Sequence, residues 1–393
     1  MIGVSKLYLS AVEASDPLRY GRESKRLPSH LLQFSKDKKP VVVWNSTKRC
    51  NLRCVHCYAR AENEHYKGDE LSTEEGKKLI DDLSSFGVPV ILFSGGEPLL
   101  RKDLGELIGY AVQKGMRAVI STNGTLITEE AARGFAKFSL SYIGVSIDGT
   151  GSINDAFRGV KGAYDKAIAG IRNARKAGIK TGLRFTINKR NYREVPRIFD
   201  LIEKEEIERV CFYHLVYAGR GSTLINEDLT YDQTRETVDY IMDRTKEFFG
   251  KGREIEVLTV DNHADGPYIY LRLLKEDPRR AEEVYQLLSM NEGNASGVGI
   301  ASIDEQGNVH ADQFWRHYSF GNVRKRPFSE IWMDTSDQLM GMLKQKKRFV
   351  KGRCVKCRWL DICGGNFRVR AEAASGDIWA PDPQCYLSDE EIR

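Results

Sequence analysis

Three cysteines stand in the run Cys50-Asn51-Leu52-Arg53-Cys54-Val55-His56-Cys57-Tyr58, directly after the apolar stretch Val41-Val42-Val43-Trp44. A strand that empties into a loop with C-x3-C-x2-C spacing has few uses. Three thiolates on one tight loop can reach three irons of a single cubane and leave the fourth iron open to bind a substrate or a cofactor. Zinc is the alternative. A structural zinc site closes four ligands and more often uses C-x2-C pairs. His56 is the local fourth donor, but its place between two cysteines makes a closed tetrahedron awkward.

The sequence around this loop alternates strand and helix patterns from 41 to 215, as parallel α/β architecture does. Strands are expected over 41–45, 89–94, 118–121, 142–147, 181–187 and 209–215, with helices over 104–114, 128–138, 163–177 and 194–204. Ser72-Thr73-Glu74-Glu75 reads as a capping box opening a helix with Leu79, Ile80 and Leu83 on one face. Gly178 closes another helix. Six such units make an α/β fold of the partial (β/α)6 TIM-like barrel type, and the motifs lie at the carboxyl ends of strands, where barrel active sites sit. A long helix is expected over 230–250 and a hairpin over 300–311, turning at Gln306-Gly307. The expected organisation is an amino-terminal, partly ordered arm (1–39), the barrel (40–250), a charged helical bridge (251–295) and a small carboxyl-terminal domain (296–393).

Composition narrows the setting. No run of eighteen apolar residues occurs, and the first residues lack the apolar core of a secretory signal, so a soluble cytoplasmic protein with no membrane contact is expected. Lys and Arg exceed Asp and Glu by 60 − 55 = 5. That excess is too small to argue for nucleic acid, but it fits a pocket for a polyanionic small molecule. Eight cysteines in a reducing compartment argue against disulfides. Seven fall into two groups, and Cys211, flanked by Val210 and Phe212, reads as a buried core thiol.

The three-cysteine loop followed by Gly95-Gly96-Glu97-Pro98 resembles the radical S-adenosylmethionine (SAM) enzymes. The resemblance implies a [4Fe-4S] cluster whose open iron is chelated by SAM. Reductive cleavage of SAM then gives a 5′-deoxyadenosyl radical that abstracts hydrogen. Cys354-x2-Cys357-x5-Cys363 with Cys385, together with Phe320-Gly321-Asn322-Val323 and Phe328-Ser329-Glu330-Ile331-Trp332, is similar to the SPASM/Twitch auxiliary domain. That similarity implies a second, fully ligated [4Fe-4S] cluster, although a four-cysteine zinc site would share the spacing. Segments 31–45, Gln313 to Tyr318, Cys363 to Arg370 and Trp379 to Pro383 resemble the tetrapyrrole-modifying branch of the family. Within it the deacetylases of the siroheme-dependent haem pathway are nearest. They imply removal of acetate groups from 12,18-didecarboxysiroheme to give Fe-coproporphyrin III, with an unidentified electron donor. The heme d1 branch and the SPASM-type peptide-modifying enzymes are the alternatives.

The resemblance also suggests roles. Cys50, Cys54 and Cys57 would ligate the SAM cluster, with Tyr58 packed at its edge, and Cys354, Cys357, Cys363 and Cys385 the auxiliary one. Gly95 and Gly96 would let the main chain approach the SAM amino group beside Glu97. Ser146 and Asp148 would make polar contacts to SAM, and Arg158 or Arg184 would meet its carboxylate. Asn154 departs from the family pattern, where histidine is frequent. For the substrate carboxylates the candidates are His214, Tyr217, Arg220, Arg316 and His317, with His310 or His317 for the substrate iron.

Overall fold

The computed structural model describes residues 1–11 and 39–393. One mixed sheet runs through it. Its strands are β1 (Ile2–Gly3), β2 (Val41–Asn45), β3 (Val90–Ser94), β4 (Arg117–Thr122), β5 (Tyr142–Ser146), β6 (Thr181–Ile187), β7 (Arg209–His214), β8 (Glu256–Val260), β9 (Ile300–Ile303), β10 (Asn308–His310) and β11 (Gly321–Asn322). Their spatial order is β1-β8-β7-β6-β5-β4-β3-β2-β9-β10-β11. From β2 to β8 every pairing is parallel. The strands are short apolar runs because both faces are covered, one by helices and one by the barrel interior.

The helices lie where the apolar periodicity places them. After α1 (Val4–Leu9), α2 (Thr73–Phe86) starts on the expected capping box, with Ser72 and Glu75 exchanging side-chain and backbone bonds, and buries Leu79, Ile80 and Leu83. Then follow α3 (Leu104–Gln113), α4 (Glu129–Lys137), α5 (Gly151–Arg158), α6 (Ala163–Lys176), α7 (Val195–Lys204) and α8 (Tyr231–Gly250). Chain reversal after α6 uses Gly178 at φ +76°.

Two features depart from expectation. The stretch expected as a helical bridge carries helices α9 (Asp265–Glu276) and α10 (Pro278–Asn291), but begins with β8, a seventh parallel strand. Charges before it, from Lys251 to Glu256, and Asp261 after it hide a run of which Val257, Leu258, Thr259 and Val260 are buried. The second departure concerns the amino terminus. Ile2 and Gly3 pair antiparallel with β8, and α1 buries Val4, Leu7 and Tyr8. The Ser5 hydroxyl accepts from the Val257 N–H at 2.9 Å, and Arg280 Nε donates to the Leu7 carbonyl at 2.9 Å. The rest of the expected arm, with Pro17, Pro28 and the 31–35 segment, lies outside the described residues.

Beyond the barrel the sheet does not stop. β9 adds to β2 in parallel, and β10 and β11 continue antiparallel. Gly307 makes the expected hairpin turn at φ +89°. Four short helices complete this end: α11 (Phe328–Met333), α12 (Gln338–Leu343), α13 (Leu360–Cys363) and α14 (Arg368–Ser375). No helix among the described residues is long and apolar enough to cross a membrane.

Leu7 is fully buried, so Leu7→Ala is expected to destabilise the apo-protein by about 2–5 kcal/mol in urea unfolding. A loss under about 0.5 kcal/mol, the scale of an ordinary surface substitution, would detach the segment from the core.

Candidate functional site

All seven parallel strands of the barrel deliver their carboxyl ends to one rim. The loop after β2 is held there by main-chain bonds: Cys50 N–H to the Glu62 carbonyl (2.9 Å), Arg53 N–H to that of Arg158 (3.0 Å) and Val55 N–H to that of Phe157 (3.0 Å). Arg220 clamps it from the far side, giving Nε to the Cys54 carbonyl at 2.9 Å and Nη1 to the Ala61 carbonyl at 3.0 Å. The thiols of Cys50, Cys54 and Cys57 line a cavity of about 1090 Å³.

Each sulfur has a donor. The Leu52 N–H points at Cys50 Sγ (3.4 Å), the Ala61 N–H at Cys57 Sγ (3.4 Å) and Arg158 Nη1 at Cys54 Sγ (3.5 Å). Burial pushes the Cys50 thiol up to about 12 and that of Cys54 upward too. Thiolates form in such a place only beside a strong positive charge, and a bound metal cluster supplies it. Among the described residues no three His, Cys, Asp or Glu side chains close on a single ion. The thiols surround a space instead, and a polynuclear cluster spans such a space. His56 does not complete a tetrahedron: its Nε2 lies 3.7 Å from Asp148 and its ring packs on Phe157 at 4.6 Å. Burial lowers its pKa to about 4.

The residues expected to meet SAM divide into two groups. Gly95, Gly96, Ser146, Arg158 and Arg184 line the cavity. Glu97 and Asp148 are fully buried and lie off its wall. The Glu97 carboxylate accepts from Thr122 Oγ1 (2.7 Å), the Asn123 N–H (2.8 Å) and the Leu99 N–H (3.1 Å), so it ties the end of β3 to the end of β4. Asp148 accepts from the Thr186 N–H at 2.7 Å and pairs with Arg158, which it holds against Cys54. Asn154 accepts from the Asp148 N–H at 3.0 Å, so it supports this turn. The glycines have a reason that the sequence reading missed. A Cβ on Gly96 would lie 2.1 Å from the Arg49 carbonyl oxygen, and one on Gly95, at φ +147°, 2.5 Å from that of Thr47. They let the β3 turn press against the cluster loop. Tyr58 also joins the strand ends, donating to Asn45 Oδ1 at 2.9 Å.

The expected substrate contacts are largely committed elsewhere. Tyr217 donates to Asp228 (2.7 Å) and Arg220 holds the loop. Arg316 pairs with Glu305 at 2.6 Å. His317 is exposed and pairs with Glu372 at 2.9 Å. Both ring nitrogens of His310 are engaged, by the Tyr318 carbonyl (2.7 Å) and Asp304 (3.3 Å). His214 lines the cavity but is bound to Asp265 at 2.9 Å. A long charged side chain at a strand end can serve either a ligand or a carbonyl, and only the neighbours decide.

A second cavity, of about 1490 Å³, fills the barrel lumen. Val43, Leu92, Arg184, Tyr213, Asp261 and Gln313 line both, so the two are continuous. Its walls are mostly apolar strand residues, with Arg117, Arg184 and Arg209 among them. Arg209 lies 3.5 Å from Glu256 and Arg184 packs on the Tyr213 ring at 4.8 Å. Asp261 and His263 enter this lumen just past β8. Burial pushes the Asp261 carboxyl up to about 7. Burial and nearby cations hold His263 well below the usual range, and so neutral. Sequence reasoning missed both because it missed β8; read as a strand, β8 would have marked Asp261-Asn262-His263 as a strand-end motif.

At the other end Cys354, Cys357, Cys363 and Cys385 form one neighbourhood. Burial pushes the Cys363 thiol far up, and all three of the others push it further. Four thiols with mutual repulsion and Arg353 nearby suit a closed metal centre. Cys211 is buried as expected, on the lumen wall.

The comparisons with known proteins agree with this geometry. The Radical SAM superfamily model matches residues 44–202. The chain is 65% identical to Fe-coproporphyrin III synthase of Methanosarcina barkeri, over 100% of this chain and 99% of that one. It is 42% identical to pre-heme d1 synthase of Dinoroseobacter shibae, over 90% and 87%. Among solved structures, Streptococcus suis SuiB bound to its precursor peptide SuiA superposes with TM-score 0.69 at 19% identity, covering 91% of this chain and 79% of that one. That match shows a shared fold.

Two measurements test the site. Anaerobically reconstituted protein is expected to hold about eight irons, falling to about four when Cys50, Cys54 and Cys57 are replaced by Ala. Stoichiometric zinc at the carboxyl-terminal quartet of natively purified protein would overturn the second cluster. Gly96→Val and Arg220→Ala both disturb the cluster loop, so iron at that loop should fall together with SAM cleavage. Full iron with weakened SAM binding in Gly96→Val would show that the loop tolerates the added side chain and that the glycine serves SAM alone.

Proposed function

The chain belongs to the radical SAM superfamily, and on that premise we propose that it removes acetate side chains from 12,18-didecarboxysiroheme to yield Fe-coproporphyrin III. Identity of 65% along the whole of both chains with Fe-coproporphyrin III synthase carries this reading. Bound SAM and its [4Fe-4S] cluster supply a 5′-deoxyadenosyl radical that abstracts hydrogen from the substrate. The protein's part is to hold and to position.

Cys50, Cys54 and Cys57 hold the cluster, and Arg158, fixed by Asp148, offsets the charge of Cys54. The Gly95-Gly96 main chain, Ser146 and Arg184 form the wall for SAM. Cys354, Cys357, Cys363 and Cys385 hold the auxiliary cluster, and an external donor provides electrons. The lumen supports the substrate assignment: a mostly apolar cavity whose wall carries three arginines, alongside the carboxyls of Asp261 and Asp312, suits a flat, apolar macrocycle that carries several carboxylates.

Anaerobic incubation with 12,18-didecarboxysiroheme, SAM and a reductant should yield Fe-coproporphyrin III by mass and 5′-deoxyadenosine. A product that keeps its acetate groups would reject the reading, and conversion of a heme d1 precursor would favour the other branch.

A further inference from the structure

Six buried polar atoms without a hydrogen-bond partner belong to residues that line the lumen: Tyr142 Oη, Arg209 Nε, Asp261 Oδ2, His263 Nδ1, Asn294 Nδ2 and Gln313 Oε1. Buried polar groups in folded proteins are satisfied as a rule, so a lumen edged with unsatisfied ones is shaped for something polar that enters it. Water can serve a hydroxyl or an amide. A neutral imidazole can in addition bind iron.

We propose that His263 ligates the iron of the tetrapyrrole substrate inside the barrel lumen. The inference rests on the substrate class proposed above and adds the residue that reads its metal. His263 is 5% exposed. Its backbone N–H is fixed by Asn366 Oδ1 at 2.7 Å, while its ring Nδ1 is buried without a partner among the described residues. Of the other described histidines near the cavities, His214 is bound to Asp265, and His56, whose Nδ1 is also without a partner, sits inside the cluster loop and lines the first cavity but not the lumen. The position also fits the reaction. His263 stands past the carboxyl end of β8, on the rim that carries the cluster loop, and Asp261 and Gln313 beside it open onto both cavities. Iron held there sets the macrocycle in the lumen with one edge towards SAM. Below it, Arg209 is level with Glu256, four residues before Val260, or about 13 Å along the strand. Carboxylates on the far edge then point towards a cation.

The test uses protein with both clusters reconstituted and two probes, ferric coproporphyrin III and metal-free coproporphyrin III, followed by difference absorption. Wild type should bind the iron form more tightly. His263→Ala should lose that increment, keep its affinity for the metal-free form, and recover the ligated spectrum when imidazole is added. An increment that survives in His263→Ala, or is absent from wild type, overturns the ligand assignment and leaves the substrate class standing. Failure of wild type to bind either probe rejects the substrate class, and the ligand with it. Should His263→Ala not retain its clusters, His263→Met serves: a thioether ligand shifts the spectrum of the bound iron, and an unshifted spectrum overturns the proposal.

Discussion

A buried ion pair in the carboxyl-terminal part of this protein anchors that part to the barrel. Arg370 and Asp382 are both sealed from solvent and meet through two bonds of 2.8 Å. The remaining arm of the guanidinium, Nη1, donates to the Leu215 carbonyl at 3.0 Å, just past β7. Asp382 also accepts the Phe367 N–H at 2.8 Å. Two desolvated charges are tolerable only when their hydrogen-bonding capacity is this fully used, and removing one partner of such a pair costs about 3–5 kcal/mol. Beside it Asn366, at φ +59°, donates to Asn262 Oδ1 at 2.8 Å and accepts the His263 N–H. The auxiliary end therefore sets the backbone at the ends of β7 and β8, where the lumen meets the rim.

Arginine does similar work around the first cluster loop. Arg158, at the end of α5, and Arg220, in the segment after β7, both reach it, one at a thiol and one at carbonyls. Glu97 and Asp148 anchor neighbouring turns from behind. The rim is thus a lattice of charge-assisted bonds, which are shorter and stronger than neutral ones. Gly95, Gly96, Ser146 and the three thiols line the cavity in front of it, together with Arg158 and Arg184.

Much of this was legible in the sequence. The grouping of seven cysteines, the first six parallel strands, the capping box at Ser72 and the hairpin at Gly307 all follow from local spacing and turn chemistry. What was not legible depends on partners distant in sequence. Arg220 looks like a substrate arginine until the Cys54 carbonyl, 166 residues away, is found against it. That Gly96 also packs against the Arg49 carbonyl, in the space a Cβ would take, shows only in the fold. β8 escaped notice because its burial comes partly from residues 2–9, at the opposite end of the chain.

The pairing of β2 with β9 has a consequence for how the protein is made. Asn45, at the mouth of the cluster loop, donates to Ser302 Oγ at 3.0 Å across 257 residues of sequence. At ribosomal speeds of about 5–20 residues per second, roughly 13–50 s pass between the emergence of the two. Throughout that interval β2 has an unpaired edge, and the three thiols that follow it are already outside the ribosome. Neither clamp on the loop, Arg158 or Arg220, is present at the start. The nascent chain thus meets the cell with three bare thiols on a loop that its later partners have not yet closed, open to oxidation for as long as that lasts.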